Sequence, residues 1–241
     1  MSHLIGSQTP RIDVTPLYFT TAGDDAIDLA AVAGLILDEW QEYVLRGSLG
    51  ERVNGAWKAT DVGVIVARQN GKGSILEARE LAGLFLFGEK TILHTAHLFG
   101  TAVEHQQRLE HLIRNSELVE YMLGYKGDPQ ATMSGIKTGN SGMSFETQNG
   151  NRLLFKARSR GSMRGYTANL VVFDEAYDLP RAVVSAMLPT LASKSMHSST
   201  QVWDTSSAGF PDSDGLADLR TRALNPDGEE HLAFYEWSAP D

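Results

Sequence analysis

The segment from Val62 to Phe87 constrains this chain more than any other. Val62-Gly63-Val64-Ile65-Val66 is a short apolar run of the kind a buried parallel strand requires. Ala67-Arg68-Gln69-Asn70-Gly71-Lys72-Gly73 is polar and glycine-containing. From Ser74 to Phe87 the apolar residues Ile75, Leu76, Ala78, Leu81, Ala82 and Phe85 recur at helical spacing. The order is strand, loop, helix. Further strands are predicted at Thr91–Thr95, Arg152–Ala157, Asn169–Phe173, Thr200–Asp204 and Leu232–Trp237. Helices are predicted at Thr101–Tyr121 and at Leu179–Leu191, where Pro180 suits a first turn. Apolar strands alternating with helices predict an α/β fold, a mostly parallel central sheet flanked by helices.

Around this unit the pattern is looser. Residues 1–23 carry Pro10, Pro16 and several threonines and read as an extended arm, with 24–241 as one domain. Asp24 to Arg46 reads as one helix through Ile27, Leu29, Ala30, Ala33, Leu35, Ile36 and Leu37, with Asp24 or Asp25 as its cap. Asn54-Gly55 is a turn signal, and residues 124–150 read as loops and short hairpins. No internal repeat or low-complexity tract is present.

Bulk properties exclude several classes. No apolar run approaches the roughly 20 residues that span a bilayer, so no membrane partner is expected. Residues 1–10 lack a basic stretch followed by an apolar one, the mark of a secretory leader. With no cysteine, disulfides and thiolate-bound metals are excluded, and a reducing compartment is suited. The net charge of −9 argues against broad coating of DNA, whose binding rests on Lys and Arg neutralising phosphates. Contact with DNA would be local, transient, or shared among subunits.

Gly71-Lys72 stands where a phosphate-binding loop is built: backbone N–H groups at a helix N-terminus cradle phosphates, and a lysine reaches the terminal ones. Two positions depart from G-x-x-x-x-G-K-[ST]. Val66 replaces the first glycine, and Gly73 replaces the hydroxyl residue that binds Mg²⁺. Taken alone, the motif also fits a helix-entry turn with a solvated lysine. Leu170-Val171-Val172-Phe173-Asp174-Glu175 is an apolar strand ending in two acids, at the sheet edge where α/β proteins bind ligands. Asp174 can hold Mg²⁺ and Glu175 can polarise an attacking water; alone, the pair also fits acids capping the next helix. Two strand-end motifs in this order favour nucleotide chemistry.

With these residues in view, the chain resembles the large terminase subunits of tailed bacteriophages, the DNA-packaging motors. Arg68-Gln69-Asn70-Gly71-Lys72 looks like their Walker A signature, in which one branch carries glycine after the lysine, as Gly73 does here. Phe173-Asp174-Glu175-Ala176 resembles their Walker B motif. Thr205-Ser206-Ser207 resembles the coupling motif, and Leu37-Asp38-Glu39-Trp40-Gln41 the adenine-recognising segment. The resemblance is most secure from Asp24 to Ser207. It implies a RecA-like P-loop NTPase of the additional-strand, catalytic-glutamate type, with ATP and Mg²⁺ as ligands. It also implies double-stranded DNA, a portal and procapsid, a small terminase subunit and a homomeric ring, a pentamer by family likeness, working in the host cytoplasm.

The resemblance further implies individual roles. Gln69, Asn70 and Gly71 would form the phosphate loop, Lys72 would bind the β and γ phosphates, and Arg68 would sit near the γ phosphate, unless it is a surface arginine. Ser74 or water would replace the missing Mg²⁺ ligand at Gly73. Trp40 and Gln41 would contact adenine, unless Trp40 is a core residue. Arg158, Arg160 and Arg164, spaced by Gly and Ser, are candidates for an arginine supplied to a neighbouring subunit, Arg164 first; phosphate-backbone contact or a solvated loop is the other reading. His94, His97, His105 and His111 show no diagnostic metal spacing and read as structural or surface groups. Large terminases usually add a C-terminal nuclease, and no acid cluster here resembles one: Asp212, Asp214 and Asp218 read as a loop and helix cap. The chain is expected to be an ATPase domain without nuclease activity. Two other readings are a superfamily 2 helicase-like ATPase, which would need a second lobe, and a non-hydrolysing nucleotide-binding docking module.

Overall fold

The computed structural model describes residues 6–139, 142–158, 167–176, 200–207, 214–225 and 229–239. The helix expected at Leu179–Leu191 lies outside them. The described chain runs β1 (Ile12–Val14), β2 (Thr20–Thr21), α1 (Gly23–Val32), α2 (Glu39–Ser48), β3 (Gly50–Glu51), β4 (Asp61–Ile65) and α3 (Lys72–Leu81). Then follow β5 (Thr91–Ala96), α4 (Phe99–Arg114), β6 (Ile136–Lys137), β7 (Met143–Glu146), β8 (Arg152–Ala157), β9 (Leu170–Asp174), β10 (Gln201–Ser206), α5 (Asp214–Leu224) and β11 (Leu232–Glu236).

Nine strands form one sheet in the order β1-β11-β4-β10-β9-β5-β8-β7-β6. The pairs from β11 through β4, β10, β9 and β5 to β8 are all parallel. The outer pairs, β1 on β11 and β6 and β7 beyond β8, are antiparallel. β10 is inserted between β4 and β9, so the phosphate-loop strand and the acid-bearing strand are separated by one additional strand. The inner strands are buried on both faces, as parallel strands under helices must be. On one face Val62, Val64, Ile92, Val172 and Trp203 join a core shared with α1–α4. On the other, Ile65, Leu232 and Phe234 pack on Leu216, Leu219 and Ala223 of α5. Gly63 permits that second contact: a Cβ there would lie 2.6 Å from Phe234 and 2.7 Å from Leu219.

Several elements differ from the sequence expectation. The single helix expected from Asp24 to Arg46 is two helices. Gly34 takes φ +82°, and the chain re-enters helix at Asp38 with a capping box, the Gln41 side chain accepting from the Asp38 N–H at 2.7 Å. Neither Asp24 nor Asp25 caps α1; both sit in its first turn, where their charge suits the dipole, and the Thr21 hydroxyl accepts from Gly23 N–H. The arm supplies β1, an edge strand of the main sheet, so part of it is integral to the fold. α3 continues into a π-helical turn, Ala82–Leu86. The helix expected to reach Tyr121 ends at Arg114 and is followed by a 3₁₀ turn, Glu117–Tyr121. Of the acids read as a loop and helix cap, Asp214 opens helix α5 and Asp218 lies within it; Asp212 lies outside the described residues.

Candidate active site

The parallel sheet brings the sequence-predicted residues to one edge. After β4 the loop turns through Gln69 (φ +61°) and Gly71 (φ +82°), and Gly71 is the residue before the first turn of α3. Arg68, Gln69, Asn70 and Gly71 are exposed; Lys72, Gly73 and Ser74 are half-buried. The Gly71 carbonyl accepts from Ser74 N–H at 3.1 Å and from Gln41 Nε2 at 2.9 Å. A side chain at 71 would meet Gln41 Nε2 at 2.7 Å, so glycine is required there by close approach as well as by its positive φ.

The two acids stand across from Lys72. Its Nζ lies 3.3 Å from Asp174 Oδ1. The same oxygen accepts from Thr205 Oγ1 and from Glu175 N–H, each at 2.9 Å. Thr205 is the register partner of Asp174, which is how β10 delivers its hydroxyl. All these contacts fall on Oδ1. Burial alone would raise the Asp174 carboxyl. The charges of Lys72, His94 and His105 and the Thr205 hydroxyl outweigh it and hold the group below the usual carboxylate value. Asp174 is therefore a buried carboxylate held in its charged form.

Glu175 is half-buried and takes φ +56°, a conformation that costs a non-glycine residue. Three contacts hold it: its N–H on Asp174, its carbonyl accepting from Arg158 Nη2 at 2.7 Å, and its Oε2 accepting from Thr101 Oγ1 at 3.4 Å. Arg158, considered above for a neighbouring subunit, is thus engaged within its own chain. Arg160 and Arg164 lie outside the described residues. Thr205 and Ser206 are buried and Ser207 is half-buried; the Ser206 carbonyl accepts from Val66 N–H, tying the end of β10 to the start of the loop after β4.

Trp40 and Gln41, expected at adenine, are both engaged within the chain. Trp40 is 7% exposed and packs edge-on against Trp237, ring centroids 4.9 Å apart. Both ends of the Gln41 amide are used within the chain, one on Asp38 and one on Gly71. In this arrangement Trp40 is a core residue, and Gln41 ties the start of α2 to the loop through the Gly71 carbonyl.

Sequence reasoning did not find the polar face between α3 and α4. Glu80 is fully buried and its two oxygens meet His94 Nδ1 at 2.7 Å and His105 Nε2 at 2.6 Å. The imidazoles stack at 4.1 Å with 14° between their planes. Glu77 accepts from Arg108 Nε at 2.5 Å and lies 3.9 Å from His105 Nδ1. Glu80, His94 and His105 offer three ligand atoms within 4.8 Å of one another. Nearly parallel rings send their in-plane lone pairs side by side, however, and chelation of one ion needs them to converge. The arrangement fits a carboxylate bridging two histidines. The only signal for it in the sequence is helical spacing: 77 and 80 on α3, 105 and 108 on α4.

Strand order, phosphate-loop position and acid position together can be compared with known structures. The HK97 bacteriophage large terminase superposes with a TM-score of 0.70 at 16% identity, over 92% of this chain and 45% of that one. The chain has the fold of the bacteriophage large terminase ATPase domain. The Thermus phage P74-26 large terminase ATPase domain superposes on this terminase fold with a TM-score of 0.55 at 17% identity, over 79% of this chain and 71% of that one. The large terminase of a second thermophilic bacteriophage, solved in complex with ADP, gives 0.51 at 12% identity, over 75% and 40%. The chain spans less than half the length of the HK97 terminase and of the ADP-bound one. No protein-family model matches the sequence, and neither does any curated protein. Among the described residues of this terminase-like domain no helix is long and apolar enough to cross a membrane.

Proposed function

We propose that the chain is an ATPase that drives double-stranded DNA into a viral procapsid. The observation that carries this reading is the convergence of Lys72, Asp174 and Glu175 at one sheet edge of a terminase fold. Lys72, now paired with Asp174, would turn to the β and γ phosphates, which the exposed loop 68–73 and the positive end of α3 favour. Arg68, exposed in that loop, would meet the γ phosphate. Mg²⁺ would be held by Asp174, with Ser74 or water beside it, and would neutralise charge developing on the phosphates. Glu175 would orient and polarise the attacking water.

The remaining residues position these. Gln41 fixes the Gly71 carbonyl, and Arg158 fixes the main chain of Glu175 in its left-handed conformation. Thr205 connects the coupling motif to Asp174, so that a change at the acid is passed to Ser206 and Ser207. An arginine from a neighbouring subunit, Arg164 or Arg160, would complete the site, a contribution of roughly 10³–10⁵ in rate for GTPases. The assembly would be a homomeric ring at the portal, meeting the small terminase subunit in the host cytoplasm. Nuclease activity is not assigned to these residues.

Glu175→Gln tests the chemistry. The variant is expected to bind ATP at wild-type strength and to lose at least about 10²-fold in hydrolysis, the usual contribution of a general base. Hydrolysis equal to wild type removes Glu175 from the mechanism. A wild type that binds ATP but never turns over, alone or with DNA and portal, favours the docking module, a reading supported by the missing hydroxyl at Gly73.

A further inference from the structure

Gly73 departs from the usual phosphate loop, and backbone conformation does not explain it. Its φ is ordinary, unlike that of Gly71, and it lies in the first turn of α3, where glycine is a poor helix former. Space does explain it. A Cβ at position 73 would lie 2.8 Å from Arg108 Nη2, 3.7 Å from its Cζ and 4.0 Å from Glu77 Oε1. The guanidinium of Arg108, reaching over from α4, occupies the volume that a serine or threonine side chain takes in other phosphate loops.

Arg108 is anchored at one end and open at the other. Its Nε donates to the buried Glu77. The side chain is nevertheless 55% exposed. It borders a cleft of about 530 Å³ lined with Glu77, Glu104, Gln107, His111 and Leu112. A cation is thus placed beside the N-terminus of α3, whose dipole is already positive there, and near Lys72 in the same helical turn. Glu77 answers Arg108 and Asp174 answers Lys72, while Glu104 lines the far side of the cleft. The outer edge of a guanidinium beside a helix N-terminus matches phosphate oxygens.

We propose that Arg108 is a phosphate-binding residue of the nucleotide site, acting within its own subunit through the space that Gly73 leaves open. Its ligand is the terminal phosphate region of a nucleoside triphosphate. The proposal rests on the reading of loop 68–73 as the ATP site. Arg108 supplies fixed positive charge at the position where other phosphate loops recruit it through a hydroxyl-bound metal ion. It differs from the arginine expected from a neighbour in being present in the isolated subunit.

Equilibrium binding of ATP to the isolated chain tests this, with wild type, Lys72→Ala, Arg108→Gln and Gly73→Ala. Arg108→Gln is expected to weaken ATP binding about tenfold, the loss of one charge-assisted hydrogen bond. Gly73→Ala should weaken it in the same direction by pushing the guanidinium aside. Alanine is the better helix former, so a loss in that variant is not a loss of α3. Melting without nucleotide should stay near wild type for Gly73→Ala, which keeps the test open if Arg108→Gln folds poorly. Wild-type affinity in Gly73→Ala, or in a folded Arg108→Gln, overturns the proposal when Lys72→Ala has lost binding. A wild type that binds no ATP overturns the ATP site itself, a separate result.

Discussion

At the scale of single residues, the site is governed by how buried charge is compensated. Asp174, Glu80 and His105 are all removed from water, and each is kept charged by a partner within hydrogen-bond reach or close by. Burial alone would raise Glu80, but His94 and His105 outweigh it and lower the carboxyl to about 2. Burial alone would lower His105, but Glu80 and then Glu77 and Asp174 raise it above its ordinary 6.5. The signs give opposite pH limits. The Glu80 contribution to stability is present above its ordinary 4.5 and is lost as pH falls toward 2. The His105 contribution is full below 6.5 and is lost as pH rises through its raised value. Thermal melts across pH should therefore show stability declining on the alkaline side, and His105→Gln should flatten that limb. An unchanged alkaline limb in the variant would mean that His105 is neutral in the folded protein. Of this residue scale, the sequence displayed the acids of β9 and the lysine of the loop, because strand ends and glycine turns are local signals. It hid Glu77, Glu80, His105 and Arg108. Polar residues at helical spacing read as a solvated face, and only the packing of α3 on α4 shows that two such faces meet.

At the scale of elements, the inner strands were legible because continuous apolar runs between turn signals have few other uses. The run Asn169–Phe173 was placed within one residue of β9, and Arg152–Ala157 coincides with β8. The break between α1 and α2 was obscured by an apolar stripe running through it from Ile27 to Leu37. The usable signals were Gly34 and the Asp38-to-Gln41 capping pair. The C-terminal end of α3 depends on a buried ion pair. Arg79 is fully buried and donates to both oxygens of Glu89, at 3.0 and 2.7 Å, and to Gln201 at 3.1 Å. Its guanidinium also lies over the rings of Trp57 and Phe87. Gln201 in turn donates to the Ser48 and Ala59 carbonyls, so α2, α3 and β10 share one polar junction. Removing one partner leaves a buried charge without its counterion. Glu89→Ala is expected to cost about 3–5 kcal/mol in denaturant unfolding. A loss within about 0.5 kcal/mol, typical of surface changes, would show that water compensates Arg79 freely.

At the scale of the molecule, the terminase fold places Lys72, Asp174 and Glu175 on one edge, while a completing arginine from a neighbour would lie beyond the single chain. The net charge of −9 gives a lone subunit little attraction for DNA, and in the proposed motor contact would be local, transient or shared among subunits. Hydrolysis per subunit should then rise with protein concentration. A rate per subunit that is flat with concentration would mean that one chain holds the whole catalytic apparatus. Underneath all of these lies the claim that loop 68–73 holds ATP. Its most direct test is a titration of wild type and Lys72→Ala with ATP and Mg²⁺. Saturable binding by wild type, weakened at least about tenfold (~1.4 kcal/mol) in Lys72→Ala, is the predicted result. No binding by wild type, or equal binding by Lys72→Ala, would contradict it.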